Sequence, residues 1–384
     1  MTGKRLLAAF LGASLLLSGC GPAGGSQGAF DASSEENGKL KVAVTLFPYY
    51  DFVRQIAGDQ VDLQMVIPAG MDSHSFEPTP ADIRTIQHAD VLISNGGTME
   101  HWLEDTLGAL DTSNMTIVTM MDYVDTVEEE IVEGMEDVGH DHDHAHSHAA
   151  ADDHDHSHET PEEHAAHAQE ADDHDHSHET PEEHAAHAQE ADDHDHSDYV
   201  DHDGHEEAIE YDEHIWTSPV NAMKLVDVIG ETLAEADPAH AEVFRQGAAD
   251  YKKELEEIDA GFREVSRNRK RNMIVMGDKF PFRYLADEYQ LDYRAAFSGC
   301  SSDTEPSAKT IAYLIDKVKE EQIPVVYYLE LSSHRVSEII GEETGAEPLL
   351  LHSCHNVTRA QFDAGITYAG LMRQNIENLR KGID

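Results

Sequence analysis

Residues 40–67, LKVAVTLFPYYDFVRQIAGDQVDLQMVI, hold two apolar runs separated by a stretch with helical spacing. The runs at 40–47 and 61–67 predict strands, and residues 48–58 predict a helix between them. The same alternation continues to residue 120. Further strands are expected at 91–94 and 115–120, and further helices at 80–89 and 98–110. Because strands that are apolar throughout are buried on both faces, this part predicts βαβ units and a parallel sheet covered by helices.

The alternation returns in the last third of the chain, after a long helical stretch. Ser218 and Pro219 open a helix towards Ala236, and Asp237 and Pro238 restart it. Apolar residues then recur at helical spacing from Phe244 to Val265, over a stretch of about 30 residues. Beyond it, strands are expected at 273–276, 291–297, 325–329 and 348–351, and helices at 282–289, 306–322, 334–344 and 361–380. The sequence therefore predicts an α/β protein of two four-strand parallel-sheet lobes joined by one long helix, with a ligand between the lobes.

Composition divides the rest of the chain. Residues 1–19 have a basic start and a short apolar run, as expected of an export signal. Residues 20–38 read as a flexible tether. The N-terminal lobe is then expected at 39–125, a disordered His-rich insertion at 126–213, a segment with the bracing helix at 214–271, and the C-terminal lobe at 272–384. The ending Leu17-Ser18-Gly19-Cys20 resembles a bacterial lipobox, which implies cleavage before Cys20, a lipid on its sulfur and membrane attachment through that lipid.

The insertion carries 19 of the 27 histidines, interleaved with Asp and Glu and without Lys or Arg. A 20-residue unit, ADDHDHSHETPEEHAAHAQE, occurs at 151–170 and again at 171–190. Imidazoles bind zinc, copper and nickel, so the tract predicts metal capture rather than a plain acidic linker. Its repeated histidines are His154, His156, His158, His164, His167, His174, His176, His178, His184 and His187. The net charge of −51 makes nucleic acid an improbable partner.

Two histidines outside the tract lie where ligands collect in such folds. His74, in GMDSHSFEPTP at 70–80, directly follows a predicted strand, and His214, in DEHIWTSP at 212–219, precedes a capped helix. These two motifs resemble the ligand motifs of the zinc- and manganese-binding lipoproteins of bacterial ABC importers, the ZnuA/AdcA/TroA type. The resemblance extends, in the order of that family, to NGGTMEHWL at 95–103, YLADEYQL at 284–291, EPS at 305–307 and MRQN at 372–375.

The resemblance implies an interlobe metal site, with His74 and His214 as two ligands. At the third ligand position of that family this chain has Lys279, whose ammonium cannot bind a cation, so Asp278 is an alternative. The fourth position falls in LHSCHN at 351–356. We hypothesise that His355 supplies the missing nitrogen, with Asp278 or a water completing the set. His352 and Glu330 are the alternatives to His355.

Cys300 and Cys354 are the two cysteines besides Cys20. In an exported protein, such an even pair favours a disulfide over a thiolate metal site.

These observations predict a monomeric extracytoplasmic lipoprotein that captures Zn²⁺ and delivers it to a membrane ABC permease. No enzymatic activity is expected, since the chain has none of the common catalytic motifs. The alternatives are a manganese- or iron-binding protein of the same transporter class, and a surface metal store or adhesin.

Overall fold

The computed structural model describes residue 30 and residues 38–135, 210–301 and 305–384. The predicted signal segment, Cys20, most of the tether and all the histidines of the repeats lie outside this part of the chain. Among the described residues, no helix is both long and apolar enough to cross a membrane.

The N-terminal lobe is built on a four-strand parallel sheet in the order β2-β1-β3-β4. Its strands are β1 (Leu40–Val44), β2 (Val61–Met65), β3 (Val91–Ser94) and β4 (Thr116–Thr119). Its helices are α1 (Phe47–Ala57), α2 (Pro80–Gln87) and α3 (His101–Gly108). Thr79 caps α2 through a capping box with Asp82, so the chain turns sharply out of the loop that contains His74.

Two consecutive helices follow the insertion, α4 (Pro219–Ala236) and α5 (Ala241–Asn268). The 28-residue α5 buries one apolar stripe and packs against α1 of the N-terminal lobe. The contact with α1 is close enough that a Cβ at Gly247 would lie 2.2 Å from the Ile56 carbonyl oxygen. Its other end packs on the last helix of the chain, so α5 braces both lobes as the apolar spacing predicts.

The C-terminal lobe repeats the design with a parallel sheet in the order β6-β5-β7-β8. Its strands are β5 (Met273–Phe280), β6 (Asp292–Ser298), β7 (Val325–Tyr328) and β8 (Glu347–Leu350). Its helices are α6 (Arg283–Tyr289), α7 (Ala308–Glu320), α8 (Arg335–Thr344), α9 (Arg359–Asp363) and α10 (Tyr368–Ile383). One apolar core extends through both lobes and α5, and a smaller one lies between the C-terminal sheet and α7 and α8. The predicted fold class is confirmed.

Two elements differ from the prediction. The single helix expected at 361–380 is two helices, because Gly365 has a φ of 72° and Thr367 caps α10 by accepting a hydrogen bond from the Gly370 amide. Strand β5 continues to Phe280 rather than ending at residue 276, with a shift in register between Met276 and Lys279. This irregularity lies at the carboxyl edge of the sheet, next to the site described below.

The ends of the predicted insertion are part of the fold, which moves its boundaries inward. The Asp212 amide donates to the Val127 carbonyl oxygen at 3.0 Å, and the Glu129 amide to the Glu210 carbonyl oxygen at 2.9 Å. The two segments thus form a short antiparallel ladder. The assignment of all residues in 126–213 to a disordered insertion is therefore wrong at both ends.

The predicted disulfide is wrong, since Cys300 and Cys354 are both free thiols. Cys354 is fully buried, with its thiol 3.8 Å from the His352 carbonyl oxygen. Cys300 lies beside the ladder, where its amide donates to Glu129. Burial raises the pKa of both thiols, but their charged neighbours differ. Cys300 lies near Asp212 and Glu129. Cys354 lies near Glu330 and Asp51. The two cysteines thus occupy different surroundings.

Candidate metal centre

Three histidines from distant parts of the sequence converge between the lobes. His74 follows β2, His214 precedes α4 and His355 follows β8. One ligand nitrogen from each lies within 4.8 Å of the others, and the ring centroids are 5.6 to 5.9 Å apart. Tetrahedral zinc with bonds of about 2.0 to 2.1 Å requires nitrogens roughly 3.4 Å apart. Small side-chain movements would therefore bring the three nitrogens to coordination distance.

His74 is held in a tight turn at the rim of the N-terminal lobe. Gly70 enters the turn with a φ of 90°, a conformation that side chains disfavour. The Asp72 carboxylate accepts a hydrogen bond from the His74 amide at 3.3 Å, and Phe76 anchors the far side of the turn against Trp102. Glu77, the carboxylate three residues after His74 in the same loop, has no hydrogen bond to it among the described residues. Asp72 fixes the backbone of the ligand rather than its ring.

His214 is buried within the three-histidine group, and its side chain is 2% exposed. Asp212 accepts a hydrogen bond from the His214 amide at 2.8 Å and contacts the ring Nδ1 at 3.2 Å. A carboxylate on Nδ1 fixes the ring and its tautomer and leaves Nε2 for the metal. The Trp216 ring lies against both the His214 and the His355 rings, at 5.5 and 5.6 Å between centroids. The sequence motif alone did not single out Asp212, although its position two residues before His214 is a readable signal.

His355 belongs to the C-terminal lobe, but its loop is bound to the N-terminal lobe. The Asn356 side chain donates to the Pro68 and Met71 carbonyl oxygens at 2.9 and 2.7 Å. The Ser73 hydroxyl forms a hydrogen bond with His355 Nε2 and so ties this ring to the turn of the N-terminal lobe that carries His74. A loop tied in this way presents its ligand without a large rearrangement of the lobes. No sequence pattern pointed to Ser73 or Asn356.

The remaining predicted ligands lie outside this group. Glu330 accepts hydrogen bonds from the amide and hydroxyl of Ser353, whose hydroxyl in turn accepts from the His355 amide at 3.1 Å. Glu330 therefore positions the loop of His355. Asp278 accepts from the Lys279 and Leu329 amides at 2.9 and 3.4 Å.

His352, the main alternative to His355, is fully buried on the other side of its loop. Asn375 holds it from both sides, accepting from its amide at 2.8 Å and donating to its carbonyl oxygen at 2.7 Å. Its Nδ1 accepts from the Cys354 amide at 3.0 Å. These bonds fix the loop on the C-terminal lobe and keep the His352 ring away from the three-histidine group.

The surroundings keep two of the three imidazoles, those of His74 and His355, neutral. Burial, followed by the charge of His214, lowers the pKa of His74 to about 4. Burial, followed by the charges of His74 and His214, holds the pKa of His355 well below the usual value. A neutral imidazole has a free lone pair, whereas imidazolium has none. At neutral pH these side chains are therefore ready to bind a metal ion.

The centre opens into a cavity of about 340 Å³ between the lobes. Besides His74, His214 and His355, the cavity is lined by Lys279 and Asp278 at the end of β5 and by Arg335 at the start of α8. The ligand group thus lies at the carboxyl ends of the strands, where the parallel sheets predict it.

Comparisons with known proteins identify relatives of this chain. The chain is 31% identical over 347 residues to the zinc-binding protein AdcA of Streptococcus pyogenes serotype M3, matching 90% of this chain and 56% of AdcA. The chain therefore spans about half the length of that relative. It is 26% identical over 369 residues to the high-affinity zinc uptake system protein ZnuA of Bacillus subtilis, covering 96% of this chain and 94% of that protein.

Among solved structures, the Zn(II)-bound ZnuA-like domain of Streptococcus pneumoniae AdcA superposes with a TM-score of 0.61. The two are 25% identical, and the match covers 90% of this chain and 99% of that domain. The sequence model of the family described as zinc-uptake complex component A, periplasmic, matches residues 42–382. Since this match includes both lobes and all three converging histidines, the chain belongs to the ZnuA family.

Proposed function

We propose that this protein is an extracytoplasmic lipoprotein that captures Zn²⁺ between its lobes and delivers it to a membrane ABC permease. The observation that carries the proposal is the convergence of His74, His214 and His355 from three separate segments. His74 comes from one lobe and His355 from the other, so binding a cation would join them. Such an arrangement suits capture and release more than catalysis.

The donor set favours zinc over manganese. All three converging donors are imidazole nitrogens, which zinc binds well, whereas manganese prefers carboxylate, carbonyl and water oxygens. The carboxylates of Asp278 and Glu330 already accept hydrogen bonds from protein groups. The names of the relatives point the same way, since AdcA is called a zinc-binding protein and the Bacillus subtilis protein a zinc uptake protein.

The His-rich insertion would supply the site with metal. The chain leaving the insertion forms the ladder at 210–212 and reaches His214 two residues later. Zinc held weakly by many imidazoles would then pass to a site of higher affinity. Cys20 would carry the lipid that keeps the protein at the membrane, and the protein would act as a monomer.

The test is zinc affinity in variants that lack residues 140–205, because the insertion would otherwise mask the central site. The antiparallel pairing of residues 127–129 with 210–212 brings the flanking described segments together, so a linker can replace the deleted residues. His355→Ala should weaken zinc binding about 100-fold, since each ligand of a zinc site contributes roughly 3 kcal/mol. His240→Ala is the matched control, because His240 is also bonded to a carboxylate, Asp237 at 2.6 Å, but lies outside the group.

Undiminished affinity in His355→Ala would remove His355 from the site. Equal loss in His240→Ala would show that the effect is on folding. Growth of a deletion strain in zinc-limited medium separates import from storage or adhesion, since only loss of an importer component makes growth depend on added zinc.

A further inference from the structure

The hydroxyl of Tyr284 is inserted into the ladder that flanks the insertion. In a regular antiparallel pair, two opposed residues exchange two backbone hydrogen bonds. Between Val127 and Asp212, the described structure has one of them, from the Asp212 amide to the Val127 carbonyl oxygen. In place of the other, the Val127 amide donates to the Tyr284 hydroxyl at 3.3 Å, and this hydroxyl donates to the Asp212 carbonyl oxygen at 2.7 Å. One side chain thus holds both strands of the ladder.

Tyr284 brings these hydrogen bonds from the C-terminal lobe. It lies on α6, and its side chain is buried. Two other elements of this lobe also bind the ladder. The Cys300 amide, which follows β6, donates to the Glu129 carboxylate at 2.9 Å, and the Tyr293 hydroxyl of β6 donates to the Glu130 carboxylate at 3.1 Å. The ladder is therefore fixed to the C-terminal lobe.

The same ladder carries the carboxylate that holds a metal ligand. The Asp212 carboxylate accepts a hydrogen bond from the His214 amide and contacts the ring Nδ1. Both side chains are buried. A Cβ at Gly299, after β6, would lie 3.0 Å from the Asp212 carboxylate and 3.3 Å from His214 Nδ1. Because the carboxylate fixes the ring in this close packing, a shift of the Asp212 backbone would turn the His214 ring away from its place.

We propose that Tyr284 is a positioning residue for the metal centre, whose hydroxyl fixes Asp212 and thereby the orientation of the His214 imidazole. This inference rests on the proposed capture of zinc by the three histidines. Tyr284 acts through Asp212, since no hydrogen bond joins its hydroxyl to a ligand histidine in the described part of the chain. The C-terminal lobe would then orient His214 as well as supply His355.

Zinc affinity of the full-length protein tests the inference. It is measured by chelator competition at pH 5.5, where an exposed histidine with a pKa of 6.5 is only about 9% neutral, so that the insertion contributes little. Tyr284→Phe removes only the hydroxyl and should weaken zinc binding about fivefold, because two hydrogen bonds that hold Asp212 are lost together. Tyr289→Phe is the matched control and should bind zinc as the wild type does. Tyr289 is buried on the same helix, and its hydroxyl bonds to Asp259 at 2.9 Å, away from the ladder.

A double-mutant cycle separates positioning from general stabilisation. Asp212→Ala removes the carboxylate through which Tyr284 would act on His214. In the Asp212→Ala background, Tyr284→Phe should therefore change zinc affinity by less than about twofold. If the losses in the two single variants multiply in the double variant, the hydroxyl acts independently of Asp212 and the proposal is overturned.

Thermal unfolding of the metal-free variants is recorded alongside. Weaker zinc binding by a Tyr284→Phe protein that unfolds cooperatively, as the wild type does, supports the proposal. Wild-type affinity in this variant would overturn it. Loss of the cooperative transition would also overturn it, since the hydroxyl would then serve folding of the lobe.

His214→Ala distinguishes failure of the inference from failure of the proposed function. If His214→Ala weakens zinc binding but Tyr284→Phe does not, the proposed function stands and the positioning role alone is refuted. If His214→Ala binds zinc as tightly as the wild type, both proposals fail.

Discussion

Acidification from pH 7 to pH 5 should separate the central site from ordinary histidine sites. Protons compete with zinc for imidazole nitrogens, so a site loses affinity once the pH falls below the pKa of its ligands. Burial lowers the pKa of His74 to about 4 and holds that of His355 well below the usual value. His74 and His355 therefore stay neutral, and zinc stays bound, at pH values at which exposed histidines are already protonated.

The magnitude follows from the neutral fraction of each imidazole. A histidine with a pKa of 6.5 is about 76% neutral at pH 7 and about 3% neutral at pH 5, so three such ligands would together lose about 10⁴-fold in affinity. His74, with a pKa of about 4, loses only about 1.1-fold over the same range. The pKa of His355 is also held well below the usual value, so this ligand should lose little as well, and the total loss should fall far short of 10⁴-fold.

The assay is competition with a fluorescent zinc chelator, calibrated at each pH, on the variant lacking residues 140–205. The full-length protein is measured in parallel, and the additional zinc that it binds should be released at higher pH than the zinc of the central site. A fall of about 10³-fold or more at the central site would refute the reasoning, since it would show that His74 and His355 titrate as exposed groups.

Two further predictions concern a ligand partner and the brace. Asp212→Asn should weaken zinc binding at least about tenfold in chelator competition, because the charge of Asp212 orients the His214 ring. Asp237→Asn is the control, since it removes a similar contact with a histidine outside the site, and it should leave zinc binding unchanged. Gly247→Ala should lower the free energy of unfolding in urea by roughly 2 kcal/mol, because the added Cβ would lie 2.2 Å from a backbone oxygen of α1. Gly108→Ala is the control, because Gly108 has open space around it, and it should change the free energy of unfolding by less than about 1 kcal/mol. An unchanged midpoint in Gly247→Ala would mean that α5 is not tightly packed on the N-terminal lobe.

The order of strands and helices was predictable because each strand is apolar throughout and each helix carries a periodic stripe. The break in the last predicted helix was not, although Gly365 marks it, since a glycine within a helical pattern is often tolerated. The extension of β5 to Phe280 was also missed. Residues 277–279 are not an apolar run, and they pair only through an irregular register with β6. Tertiary pairing decides such a segment, and local pattern does not.

The site shows a similar division between local and tertiary information. His74 and His214 were predictable because each lies in a distinctive motif next to a strand end or a helix cap. The choice between His352 and His355 was open, since both lie in one short loop. It depends on Cys354, which has a φ of 61°, and on Asn375, which holds the backbone of His352 in the C-terminal lobe. Neither the positive φ of Cys354 nor the hydrogen bonds of Asn375 can be recognised from the residues around His352 and His355.

The position of the third nitrogen also bears on how the lobes cooperate. A ligand at residue 279 would be presented by a strand of the C-terminal sheet, whereas His355 is presented by a loop that Asn356 ties to the Pro68 and Met71 carbonyl oxygens of the N-terminal lobe. The interlobe contact and the ligand are therefore built from adjacent residues. A metal ion at His355 would tighten contacts that already exist, and any force that pulled the Asn356 loop from the N-terminal lobe would withdraw a ligand at the same time. Release of the cargo would then require separating one loop from one turn, without unfolding either lobe.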